Sequence, residues 1–231
     1  MRLFFWKDFI DLIFPRNCAL CKRALFDFEP CLCTICQGML PRANFHLRPF
    51  DNELTSKLQG LMPVHRVMAF LRFTKKGKSQ TLLHLLKYKN KPELGEELGR
   101  LYGLSLLDNG FGGAWDVLVA VPLHPLKKQR RGYNQSELLA RGLSKHWGVP
   151  LLKRTVQKRK HTLSQTTNDR FGRWENVQNM FRATAQFNGY HHVLIVDDVI
   201  TTGATLESLA RAIKATDPNV QISLLSFAFT K

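Results

Sequence analysis

Val193-Leu194-Ile195-Val196-Asp197-Asp198-Val199-Ile200-Thr201-Thr202-Gly203-Ala204-Thr205-Leu206 runs from an uninterrupted apolar segment through two adjacent carboxylates into a Thr/Gly loop. The run Val193 to Val196 is short and aliphatic, as in a central parallel strand covered on both faces. Asp197 and Asp198 then fall at the carboxyl edge of a sheet, where open α/β folds bind ligands. Thr201 to Thr205 can present successive backbone N–H groups and hydroxyls to a phosphate, and Gly203 permits backbone conformations that other residues resist. The apolar spacing of Leu206, Leu209, Ala210 and Ile213 predicts a helix whose N-terminus adds a positive dipole end to the same anion. Two carboxylates beside an anion cradle repel a bare phosphate. They make sense facing ribose hydroxyls, directly or through Mg²⁺, while the loop holds the 5′-phosphate. A strand with a Thr/Gly turn serving only as a helix cap is the plain alternative, but capping alone does not call for paired acids.

This pattern resembles the 5-phosphoribosyl-1-pyrophosphate (PRPP) signature of type I phosphoribosyltransferases. Ala204 departs from it, because many of those enzymes carry a second glycine there. A methyl group at that position tightens the loop around a phosphate.

At 231 residues the chain can bury a full α/β core, with roughly sixty residues left for a small appendage. Lys and Arg number 34 against 18 Asp and Glu, a formal net charge of +16. That balance, with a pI near 10.0, favours contact with a polyanion. Nucleic acid is the leading candidate and an anionic membrane surface the second. Basic residues crowd the middle of the chain: Lys127, Lys128, Arg130, Arg131, Arg141, Lys145, Lys153, Arg154, Lys158, Arg159, Lys160, Arg170 and Arg173, with few acids to offset them. A solvated basic face is the bland reading, yet a diphosphate site would claim only a few of these cations.

The sequence lacks any uncharged apolar run of the ~18 residues that a membrane-spanning helix needs. Met1 to Phe14 is apolar but broken by Lys7, Asp8 and Asp11, and it has no small-residue cleavage site. Leu3, Trp6, Ile10 and Ile13 share one helical face, so the stretch reads as a docking helix, with peripheral contact at a membrane interface as the alternative. A cytoplasmic location follows from this reading.

All five cysteines lie in one short segment. Cys18/Cys21 and Cys33/Cys36 form two C-x-x-C knuckles, each able to offer two thiolates to a tetrahedral Zn²⁺. Disulfides are the alternative, disfavoured by the odd count and the lack of a secretory signal. Cys31 stays outside the primary four because its C-x-C spacing to Cys33 is less regular. A closed site of four thiolates leaves no open position, so the ion is read as structural, stapling a module too small to fold on its own core. Residues 1–45 are expected to form this N-terminal helix and zinc-finger module, and residues 46–231 the main domain.

Upstream of the signature, Ser79 to Tyr88 has a helical pattern, and Glu93 to Leu107 reads as a second helix interrupted by Gly95, Gly99 and Gly103. Val117 to Val121 is a second buried-strand run, and alternation of strands and helices predicts a doubly wound parallel sheet. Directly after that strand come Pro122-Leu123-His124-Pro125 and then Arg130-Arg131-Gly132-Tyr133-Asn134-Gln135. Lys158 to Asn168 is polar and basic and reads as a mobile loop. His124, alone in a turn, reads as incidental.

The segment V-P-L, the run R-R-G-Y-N-Q, His161-Thr162-Leu163-Ser164-Gln165, Arg170 and Leu86-Lys87-Tyr88 resemble the ComF family of competence-associated phosphoribosyltransferase-like proteins, in the family's order. The resemblance implies an α/β type I phosphoribosyltransferase-like fold behind a zinc finger, PRPP with Mg²⁺ as ligand, and a role in uptake of single-stranded DNA during natural transformation. It further implies Arg130, Arg131, Asn134 and Gln135 as site residues and a competence helicase as partner. The enzyme reading makes Asp197 and Asp198 the catalytic pair, Thr201, Thr202, Gly203, Ala204 and Thr205 the 5′-phosphate loop, and Arg130 and Arg131 the diphosphate cations. The alternative is a non-catalytic single-stranded DNA-binding adaptor with a vestigial ribose-phosphate pocket, in which Tyr133, Trp147, Phe171 and Trp174 among the basic residues would permit base stacking.

Overall fold

The computed structural model describes residues 15–158, 180–184, 187 and 189–230. The expected N-terminal docking helix, most of the segment Lys158 to Asn168, His161, Gln165, Arg170, Phe171 and Trp174 lie outside the described residues. The elements in chain order are α1 (Thr34–Gly38), a 3₁₀ turn (Phe45–Leu47), α2 (Glu53–Gln59), β1 (Val67–Arg72), α3 (Lys78–Tyr88), α4 (Pro92–Asp108) and β2 (Val117–Ala120). They continue with α5 (Pro125–Arg131), α6 (Gln135–Trp147), β3 (Leu151–Leu152), β4 (Val156–Lys158), β5 (Phe181–Ala183), β6 (His192–Ile200), α7 (Ala204–Lys214) and β7 (Gln221–Phe229).

Five strands form one all-parallel sheet in the order β1-β7-β6-β2-β3, and β4 and β5 form a separate antiparallel pair. The central strand β6 explains its own sequence. Val193 and Ile195 enter a core shared with Leu54, Leu58, Leu206, Leu209 and Ile213. Leu194 and Val196 enter the opposite core with Leu82, Leu98, Leu139 and Leu143. Because successive side chains leave a strand on opposite faces, only a strand covered on both needs an unbroken apolar run. All four are fully buried, each stabilising the fold by roughly 1.5–3 kcal/mol relative to exposure.

β6 extends beyond that apolar run. Its pairing with β2 stops at Ala120↔Val196, whereas its pairing with β7 continues to Ile200↔Phe229. Asp197 and Asp198 therefore sit on a strand still held on one side and released on the other. The short β2 opens a notch at the carboxyl edge.

The glycines of α4 do not interrupt it: one helix spans Pro92–Asp108. A Cβ at Gly99 would overlap the Leu139 carbonyl, and one at Gly142 would overlap the Glu96 carbonyl. These glycines let α4 and α6 approach backbone to backbone.

The cysteine segment packs into the sheet's core. Cys18, Leu32, Cys33, Cys36 and Leu40 share one buried cluster with Met68, Phe70, Leu94 and Leu98. Downstream, Ala43 N donates to Phe70 O and Arg72 N to Pro41 O, each at 2.8 Å, so Pro41 to Ala43 runs along β1. Among the described residues no helix is long and apolar enough to cross a membrane.

Candidate functional site

The two adjacent carboxylates diverge. Asp197 is buried, and its Oδ1 accepts from Ser136 Oγ at 3.1 Å and from Asp198 N at 2.8 Å. Burial, reinforced by the neighbouring Asp198 charge, pushes its carboxyl up to about 7. Asp198 turns the other way, and its Oδ2 lies 2.7 Å from the Lys87 ammonium on the last turn of α3. That pair is partly exposed, at 23% and 18% of the side-chain surface. Asp198 can thus meet a ligand from solvent, while Asp197 is set from below. Both keep carboxylate oxygens without protein donors among the described residues, so the pair fits ribose hydroxyls or the water shell of Mg²⁺.

The loop Thr201 to Thr205 follows at once. Thr201 and Thr202 are exposed, and among the described residues the N–H groups of Thr201, Thr202 and Gly203 meet no protein acceptor. Gly203 precedes α7 at φ 86° with no side-chain cap. A Cβ there would also strike Leu58 of α2, so sterics and the left-handed backbone both select glycine. Ala204 opens α7 and is half-buried. Free donors at the head of an eleven-residue helix suit a phosphate.

The run R-R-G-Y-N-Q forms the third wall, mostly by holding itself together. Tyr133 OH donates to Leu86 O at 2.8 Å and accepts from Lys91 N at 3.2 Å, which locks this turn onto the end of α3. Asn134 caps α6 through Ser136 N and donates to Val121 O at 2.9 Å. Arg131 donates to Gln135 Oε1 at 2.9 Å and lies 5.5 Å over the Tyr88 ring. Gln135 is buried with its Nε2 unpartnered. The structure thus places Arg131 against Tyr88 and Gln135, whereas Arg130 is exposed and, among the described residues, makes no ion pair with the acids. His124 Nδ1 accepts from Leu126 N, capping α5.

Part of the basic crowding is neutralised, contrary to the expectation of few offsetting acids. Arg141 pairs with Glu96 and Glu137, Lys145 with Glu96, and Lys128 with Glu137 at 3.8 Å. Trp147 and Tyr133 are not free for stacking either: Trp147 stacks on Trp115 and donates to Gly103 O, and Tyr133 holds Leu86. The remaining cations gather beside the sheet edge. An open cavity of ≈ 650 Å³ is lined by Lys153, Arg154, Lys158 and Arg182, with the paired Lys128 and Glu137 also in its lining. Burial and the nearby Lys127 hold the Lys158 ammonium below the usual lysine range.

The four expected cysteines converge. The Sγ atoms of Cys18, Cys21, Cys33 and Cys36 all lie within 4.8 Å of one another, with Cys21 and Cys33 at 3.7 Å. Four thiolates ~2.3 Å from a tetrahedral Zn²⁺ stand roughly 3.8 Å apart, so the set could hold that ion. Cys33 N and Cys36 N each point at a cysteine sulfur at 3.4 Å. Burial pushes the Cys18 thiol up, but N–H groups of Cys33, Cys21 and Leu20 outweigh it and hold it at about 6. Buried Glu29 orders the second knuckle by accepting from Thr34 N, Thr34 Oγ1 and Phe26 N, with Arg23 beside it. The Thr34 N–H leads in drawing its carboxyl down to about 2. Cys31 is buried apart from the four, its thiol pushed up to about 12 by burial.

Sequence reasoning named Asp197, Asp198 and the loop but missed Ser136 and the pairing of Lys87. The only available signal was Leu86-Lys87-Tyr88 standing in family order ahead of the signature.

Comparison with known proteins agrees with this architecture. The phosphoribosyl transferase domain profile matches residues 87–228. Competence protein F of Haemophilus influenzae is 33% identical over 138 residues, covering 58% of this chain and 60% of that protein, so the match spans less than two thirds of its length. DNA utilization protein YhgH of Escherichia coli K12 is 31% identical over 202 residues, covering 84% of this chain and 82% of that protein. YhgH of Salmonella typhimurium is 29% identical over 219 residues, covering 87% and 91%. With its parallel sheet, its carboxylate pair before a Thr/Gly loop and its four-cysteine cluster, the chain belongs to the ComF family of phosphoribosyl transferase domain proteins.

Proposed function

We propose that the chain binds PRPP with Mg²⁺ at the β6–α7 loop and serves the uptake of single-stranded DNA in natural transformation. The phosphoribosyl transferase domain and the relatives named Competence protein F and DNA utilization protein YhgH support a role in DNA uptake. The observation that carries the ligand is the carboxylate pair set directly before free N–H donors at the head of α7. In this reading Asp197 and Asp198 hold the ribose hydroxyls, directly or through Mg²⁺, and Thr201, Thr202, Gly203, Ala204 and Thr205 hold the 5′-phosphate. Arg130 and Arg131 face the diphosphate. Bound Mg²⁺ would neutralise diphosphate charge. In a transfer reaction the bond from ribose C1 to diphosphate oxygen breaks, its electrons leave with diphosphate, and an acceptor nucleophile bonds to C1. The chain's contribution is fixed charge around an oxocarbenium-like transition state.

Zn²⁺ is the ion assigned to Cys18, Cys21, Cys33 and Cys36, in a module of residues 1–45 preceding the domain of residues 46–231. A cytoplasmic location and a competence helicase as partner complete the proposal. Calorimetric titration of the zinc-loaded protein with PRPP, with and without Mg²⁺, tests the site. Binding that needs Mg²⁺ and disappears in the Asp197→Asn, Asp198→Asn variant is expected; no binding under either condition overturns it.

The cationic cavity favours a second reading, a non-catalytic single-stranded DNA adaptor with a vestigial ribose-phosphate pocket. If phosphates follow Lys153, Arg154, Lys158 and Arg182, log affinity for an oligonucleotide falls linearly with log salt. A salt-insensitive affinity excludes this reading.

A further inference from the structure

The acidic pair of the candidate site is already matched by a cation that belongs to the protein. Lys87 Nζ sits 2.7 Å from Asp198 Oδ2, and both side chains are partly exposed. The backbone that carries Lys87 is anchored. Tyr133 clamps the Leu86 carbonyl, Arg131 lies over the neighbouring Tyr88 ring, and α3 ends at Tyr88, so the Lys87 stem starts from a fixed point. The Lys87 side chain is 23% exposed, and its end can swing away without unfolding the helix that carries it.

We infer that Lys87 occupies the cation seat on Asp198 in the ligand-free protein, so that a divalent cation and the ammonium are mutually exclusive there. When the ligand arrives with its metal, Lys87 gives up the carboxylate and turns to the incoming diphosphate. The inference rests on reading Asp198 as the carboxylate toward which Mg²⁺ is drawn. Its physical basis is charge. Two adjacent acids with no counter-ion would collect metal from solution whether or not a substrate was present, and a resident ammonium removes most of that pull. The displaced ammonium is a compact charge on a flexible stem, well suited to shift by a few ångströms onto a phosphate oxygen. Metal alone then binds weakly, and metal with its anionic partner binds well.

This arrangement makes the two affinities move in opposite directions when Lys87 is neutralised, which a merely structural lysine would not do. The test uses the full zinc-loaded chain and Mn²⁺ as probe, followed by electron paramagnetic resonance without PRPP and by calorimetry with it. Lys87→Met should bind Mn²⁺ alone roughly fivefold more tightly, as expected for loss of one partly exposed ion pair. The same variant should bind the metal–PRPP pair several-fold more weakly, and Lys87→Arg should restore wild-type behaviour in both. The tightening should vanish when Asp198→Asn is added, the cycle that assigns it to this pair. Unchanged or weaker Mn²⁺ binding in Lys87→Met, or none in either protein, overturns the inference. If the wild type binds Mn²⁺ but never PRPP, the ligand proposal fails, and the Mn²⁺ comparison still judges the role of Lys87.

Discussion

Asp197 is the residue where fold and proposed function pull apart. Its carboxyl rises from 3.8 to about 7 because burial penalises the anion and Asp198 adds repulsion. The folded chain therefore retains a proton that the unfolded chain releases, and stability falls as pH rises between about 4 and 7, then levels off. Asp197→Asn removes that titration while still accepting from Ser136. Its melting temperature relative to wild type should be near zero difference at about pH 4 and should climb to a plateau above pH 7, by ~2–4 °C for each kcal/mol gained. The same substitution should abolish Mg²⁺-dependent PRPP binding. A difference in melting temperature that ignores pH would mean that Asp197 is charged throughout. The position of this carboxylate was readable from the strand pattern, but its burial was not. Its side-chain hydrogen-bond donor, Ser136, lies 61 residues away in the chain.

At the scale of elements, the contact between α4 and α6 makes the sharpest case. Gly95, Gly99 and Gly103 recur along one face of α4, and the expectation of an interrupted helix followed from glycine's poor helix propensity. Packing overrides that preference, because the partner backbone occupies the space where Cβ atoms would be. Gly99→Ala drives a methyl into the Leu139 carbonyl and should cost ~1–3 kcal/mol in urea denaturation with an unchanged m-value. Gly103→Ala meets its nearest atoms, Leu143 Cδ2 and Trp147 Nε1, at 3.5 Å and should be neutral or stabilising by up to ~1 kcal/mol. A Gly99→Ala variant as stable as Gly103→Ala would show that the helices do not meet backbone to backbone at Gly99. The spacing of the glycines was visible in the sequence. Which one touches backbone was set by where α6 crosses.

At the scale of the whole molecule, the cysteine cluster and the sheet share apolar contacts. Cys18, Leu32, Cys33 and Cys36 lie in the same buried cluster as Met68, Phe70 and Leu98. With Zn²⁺ held there as proposed, removing it with a strong chelator should lower the melting temperature of the entire chain in one transition, followed by circular dichroism. Two separate transitions would mean that the cluster melts on its own. The features set at short range were legible in the residues alone: a buried parallel strand from an unbroken aliphatic run, a carboxylate pair and Thr/Gly loop at its edge, and two cysteine knuckles from their spacing. Each depends only on neighbouring residues, where backbone geometry leaves few choices. It took the folded packing to show that Lys87 meets Asp198, that Ser136 donates to Asp197, that Leu58 fills the space beside Gly203, and that Glu96 and Glu137 quench part of the basic surface. Those pairings join residues from different elements, and their partners are chosen by strand order and helix crossing, which no local pattern encodes.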